Sequence, residues 1–95
     1  MASTHSTRLA EATARLANAS APADVQHAQE ALAALALEAS AADDAACVRR
    51  ALAQLRGSSA PPHLLGLAIA ADLLAALTQA VISRDMAPYH VRAAE

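Results

Sequence analysis

Residues 64–82 read LLGLAIAADLLAALTQAVI, and this stretch decides the fold. Its only polar side chains are Asp72, Thr78 and Gln79. Alanine loses no side-chain entropy on entering a helix and leucine loses little, so a run built from the two is strongly helical. The spacing predicts a helix from about Pro62 to Arg84. A surface helix ordinarily shows one apolar stripe, whereas this one is apolar nearly all round. It therefore calls for cover on several sides, from the rest of the chain or from something else.

The same composition extends outward. Alanine fills 30 of the 95 positions, Phe and Trp are absent, and Tyr89 is the sole aromatic. Burial returns about 25 cal/mol per Å² of apolar surface, so an alanine-rich core of this size is weak and gains from a partner or a second copy. All seven basic residues are arginine, the imprint of a GC-rich genome, so part of the alanine content reflects codon usage.

Three further helices precede the apolar one. The first spans about Thr7 to Asn18. The second follows the Ser20-Ala21-Pro22 break, where Ser20 is placed to cap and proline suits a first turn. Within it Val25, Ala28, Leu32, Leu35 and Ala39 follow steps of three and four, a helix-packing seam. Ser40-Ala41-Ala42-Asp43 resembles a capping box and opens the third helix, with Asp43 and Asp44 in its first turn and Arg56 in its last. Cys47, Val48, Ala51, Leu52 and Leu55 form its inner face, Arg49, Arg50 and Gln54 face away, and Gly57 is placed as its C-cap.

The predicted fold is all-α: a small antiparallel bundle of three to four helices, with the apolar helix near the C-terminus as the central element. Residues 1–85 form the bundle domain and 86–95 a C-terminal tail, flexible or docked. Leu32, Leu35, Leu52, Leu55, Leu67, Leu74 and Leu77 are the expected core.

Charge and chemistry narrow the function. A net charge of −2 and a pI near 6 leave no basic footprint for nucleic acid, and Arg49, Arg50 and Arg56 read as a solvated helix end. Cys47 is the only cysteine, so no intrachain disulfide forms, and the first residues lack the pattern of a signal peptide. A cytoplasmic protein is expected. His5, His27, His63 and His90 lie in separate segments without metal-ligand spacing. No nucleophile elbow or phosphate-cradling glycine loop is present. A catalytic centre would require Cys47, His63 and a carboxylate such as Asp72 to converge. We expect no enzyme, no cofactor and no metal. Residues 64–82 have the length of a membrane span, but Asp72 at the centre costs roughly 2.5–3.5 kcal/mol on an insertion scale, which argues against a membrane.

Residues 53–59, Ala-Gln-Leu-Arg-Gly-Ser-Ser, resemble the histidine-x-leucine-lysine-glycine-serine-serine stretch of histidine phosphotransfer domains, which are four-helix bundles of similar size. Ala53 stands where that family carries its phosphorylated histidine, and Pro61-Pro62 interrupts the helix. The resemblance implies a docking domain for a receiver-type partner that accepts no phosphate at that position.

The residues themselves point first to a non-catalytic interaction protein: an adaptor, chaperone-like or regulator-sequestering module acting through an apolar helix face. The expected interface is Leu64, Leu65, Leu67, Ile69, Leu73, Leu77, Val81 and Tyr89. It would meet a protein partner or self-associate, a homodimer being the simplest case.

Overall fold

The computed structural model describes residues 4–42 and 44–94, with side chains described as far as Val81. The described residues form four helices: α1 (Thr4–Asn18), α2 (Pro22–Ala41), α3 (Ala45–Gly57) and α4 (Pro62–Ala94). No strand occurs among the described residues, and the all-α bundle predicted from composition is the fold. The tail expected to begin at Met86 is part of α4 as far as Ala94, and the Tyr89 side chain lies outside the described residues.

Consecutive helices pack on one another across short connections. α2 touches all three other helices, α3 backs it, and α1 and α4 each lie across this pair. Among the described residues α1 and α4 do not meet. The α2–α3 pair is thus sandwiched between α1 on one side and α4 on the other.

The core follows from the α2 seam. Ala28, Leu32, Leu35, Ala36 and Ala39 are buried, and Val25, at the start of the seam, is half-buried. Leu32, Leu35, Ala36 and Ala39 share one buried cluster with Cys47, Val48, Ala51, Leu52 and Leu55, the predicted inner face of α3. Leu32, Leu35, Leu55 and Val48 are the largest fully buried side chains. Leu9 and Ala12 close this core from the α1 side. Arg8 of α1 and Glu38 of α2 form a surface ion pair; the hydrogen bond between them raises the Arg8 pKa and lowers that of Glu38.

The helix caps depart from their sequence assignments. Ser40 does not open α3; it belongs to α2, and its hydroxyl donates back to the Leu37 carbonyl at 2.7 Å. Asp44 is the N-cap instead, accepting from the Cys47 amide at 3.3 Å, a position where a carboxylate also complements the helix dipole. Its other oxygen lies 3.5 Å from His5 Nδ1, tying the start of α3 to α1. Asp43 lies outside the described residues. The N-cap of α2 is Ala21, with no side-chain cap bond, so Ser20 does not cap; Pro22 at N1 removes one amide that would lack a partner there.

Gly57 is likewise not the left-handed residue. It is the last helical residue of α3, and the positive φ falls on Ser59, at 55°. The Ser59 amide donates to the Arg56 carbonyl at 3.3 Å and the Ala60 amide to the Leu55 carbonyl at 3.1 Å. That pair of bonds is a Schellman motif with Ser59 at C′ and Ala60 at C″. Its hydrophobic complement is present as well, since Ala60 and Leu55 are both buried in the core cluster.

Candidate functional site

α4 packs with its small side chains inward. Leu64, Ala68, Ala71 and Ala75, at steps of four, three and four, are buried against α2 and α3. The stripe carries one leucine and three alanines, side chains small enough to let neighbouring helices approach and gain dispersion between them in place of side-chain bulk. Its length is also greater than the pair beneath it: 33 helical residues span about 50 Å against about 30 Å for the 20 residues of α2.

The large side chains of α4 point the other way. Leu67, Ile69, Leu73, Leu74, Leu77 and Val81 are 40–62% exposed. Together they show roughly 600 Å² of apolar surface, the upper end of what the largest patch on a monomer reaches and a size at which such patches are often functional. Between them lie Gly66, Ala70 and Ala80, all exposed and all small. No charged residue falls on this outer face from Gly66 to Val81. Thr78, at its edge, satisfies its hydroxyl by donating to the Leu74 carbonyl at 2.9 Å and so leaves the surface apolar.

Three expected core residues are therefore misplaced: Leu67, Leu74 and Leu77 are outside the bundle. Among the expected interface residues Leu67, Ile69, Leu73, Leu77 and Val81 share the outer face. Leu64 is instead buried in the core, and Leu65 packs partly against it. Leu74, which sequence reasoning assigned to the interior, belongs to the outer face at 53% exposure. The seven-residue recurrence of Leu67, Leu74 and Val81 is the signal that could have grouped them.

Among the described residues the titratable groups meet only in pairs such as His5–Asp44 and Arg8–Glu38. Cys47 is buried beneath α1, its Sγ 4.0 Å from the His5 carbonyl oxygen, and burial pushes its thiol pKa up, with Asp44 adding to the effect. His63 is exposed in the first turn of α4. Asp72 is half-buried in a groove of about 400 Å³ between α3 and α4, which it lines with Ala45, Arg49, Ala75, Ala76 and Gln79. Among the described residues no group of three His, Cys, Asp or Glu is placed to hold a metal ion. A second groove, of about 590 Å³, runs between α1 and α3 past Leu9, Ala10, Thr13, Ala14 and Ala53, with Arg50 at its wall.

Within residues 53–59, Leu55 is fully buried, Ser58 is half-buried, and Ala53, Arg56, Gly57 and Ser59 are exposed. The Schellman turn ends α3 there, so no helix carries the segment onward.

Residues Pro62–Val81 are also long and apolar enough to cross a membrane, with a mean hydropathy of 1.9, and 22% of that window is buried within the bundle. No protein-family model matches this sequence, and no curated protein or solved structure shows significant similarity to it.

Proposed function

We propose that this protein is a non-catalytic interaction module, of the adaptor, chaperone-like or regulator-sequestering kind, that works by burying the outer face of α4 against a protein surface. One observation carries the reading: α4 turns alanines toward its own bundle and five leucine or isoleucine side chains plus Val81 toward solvent. A helix selected only to complete this core would place its bulk inward, where burying a leucine contributes about 1.5–3 kcal/mol. The chain forgoes that gain at Leu67, Leu73, Leu74 and Leu77 together, which a binding role for the face accounts for.

Binding of the dye ANS, followed with light scattering at micromolar concentration, tests the reading. The wild type should self-associate or bind the dye, and Leu73→Lys/Leu77→Lys should do neither while keeping its helical circular dichroism. A wild type that is monomeric, stable and blind to the dye would remove the proposal.

A second reading, in which α4 docks on a bilayer, is supported by the length and hydropathy of Pro62–Val81. Against it, interfacial helices are typically rich in Lys and Arg on their polar face, and this segment has neither. A spanning α4 would also have to carry Asp72 into hydrocarbon and leave the alanine stripe unpacked. Flotation with phosphatidylcholine vesicles decides it: recovery of the chain with the lipid supports docking, and recovery in the aqueous fraction removes it.

A further inference from the structure

We infer that the occupant of the outer face of α4 is the same face of a second copy, packed antiparallel about a two-fold axis. The inference rests on the reading of that face as the interaction surface and adds the partner's identity to it.

Area is the first support. Covering Leu67, Leu73, Leu74, Leu77 and Val81 in each copy would remove up to about 1,000 Å² from water, and the exposed Gly66 and Ala70 between them bring the total to the lower end of what a specific interface buries. The face needs nothing beyond itself. It carries no charge that a second copy would have to neutralise, and a chain of net charge −2 has no basic complement to offer an acidic partner there.

Spacing is the second support. Leu67, Ala70, Leu74, Leu77 and Val81 follow steps of three and four, the register by which two helices interdigitate side chains along a seam. Leu73 flanks that seam. The alanine stripe is centred roughly 110° around α4 from this seam, so each copy keeps its packing on α2 and α3 while the seam is occupied.

Direction follows from Ala70, the one small residue of the seam. A parallel pairing would set Ala70 against Ala70 and leave a gap between the leucine layers. An antiparallel pairing that centres Leu74 against Leu77 sets Ala70 against Val81 of the second copy, so small meets large. It also opposes the two helix dipoles, which a parallel pairing would align. The dimer thereby gains the large-side-chain core that α4 lacks within one chain.

Sedimentation or multi-angle light scattering of the full chain from roughly 1 to 100 μM should give twice the 9.6 kDa chain mass, with a Tm that rises with concentration. Leu74→Glu/Leu77→Glu should run at the single-chain mass, with unchanged helical circular dichroism and a concentration-independent Tm. For direction, Ala70→Cys and Val81→Cys are placed together in a Cys47→Ala background. The pair should give disulfide-linked dimers under mild oxidation and each cysteine alone should not, because antiparallel helices hold like positions about 16 Å apart along the axis. Cross-linking by Ala70→Cys alone overturns the antiparallel arrangement. Growth into open-ended species, in which the leucine face enters the groove between α1 and α3 of a neighbour, overturns the two-fold, as does recovery with phosphatidylcholine vesicles. A wild type that is monomeric yet binds ANS through this face overturns the dimer and leaves the interaction reading standing; a monomer without dye binding removes both.

Discussion

Gln29, near the start of α2, holds the end of α3 through Ser58: its Nε2 donates to both the Ser58 carbonyl and the Ser58 hydroxyl, each at 3.1 Å. The Ser58 hydroxyl in turn donates to the Leu55 carbonyl at 3.2 Å. Gln29 is only 4% exposed, and no buried side-chain nitrogen or oxygen among the described residues lacks a partner. A single amide thus satisfies the Ser58 carbonyl, which the end of α3 leaves without an intrahelical donor, and binds the Ser58 hydroxyl as well.

Removing that amide should be costly. Gln29→Ala leaves the half-buried acceptors of Ser58 without this donor and opens space beside the turn, so chemical denaturation should show a loss of about 1 kcal/mol. Glutamine at this position is irreplaceable by size alone: Gln29→Met fills the space without the donors and should recover only part of the loss.

Ser59 sits at φ 55°, where a non-glycine side chain costs roughly 1–2 kcal/mol. Ser59→Gly should therefore raise stability by about 1 kcal/mol, since the Schellman bonds of the turn use backbone groups only. A denaturation midpoint that fails to rise would mean that the serine side chain contributes more than the glycine saves.

The inner stripe of α4 leaves no room for bulk. Ala71 is 1% exposed, and Ala71→Leu should cost about 1–3 kcal/mol by overpacking against α2 and α3. The opposite outcome, a stabilised protein, would mean that the contact around Ala71 has room for a larger side chain.

Cys47 should behave as a buried small hydrophobe. Burial raises its thiol pKa, so at neutral pH the reactive thiolate is scarcer than for an ordinary cysteine, and access is blocked by α1. Alkylation should run far slower in the folded protein than in denaturant, and it should accelerate with pH only above the ordinary thiol range. A folded-state rate equal to that of a free thiol would overturn the assignment.

Much of the bundle is legible before any coordinates. The α2 seam of Ala28, Leu32, Leu35 and Ala39 and the α3 face of Val48, Leu52 and Leu55 stand out because charged or polar residues mark their opposite sides. α4 offers no such contrast. With apolar residues on every side, size was the only guide to which face turns inward, and size pointed the wrong way because closely approaching helices select alanine over leucine. Cap assignments failed for a related reason. Gly57 and Ser40 have the right residue types for their expected roles, yet Ser59 and Asp44 occupy them, because the backbone turns two to four residues later than residue type suggests.

The inversion of α4 also separates two evolutionary pressures that usually act on one set of positions. In most helices drift away from leucine is checked by the core, so retention of leucine says only that the protein folds. Here the fold holds 68, 71 and 75 small and covers 67, 73, 74 and 77 only in part. Any lineage that keeps those four large does so for what they touch outside the chain, and a lineage that has lost its partner is free to turn them polar.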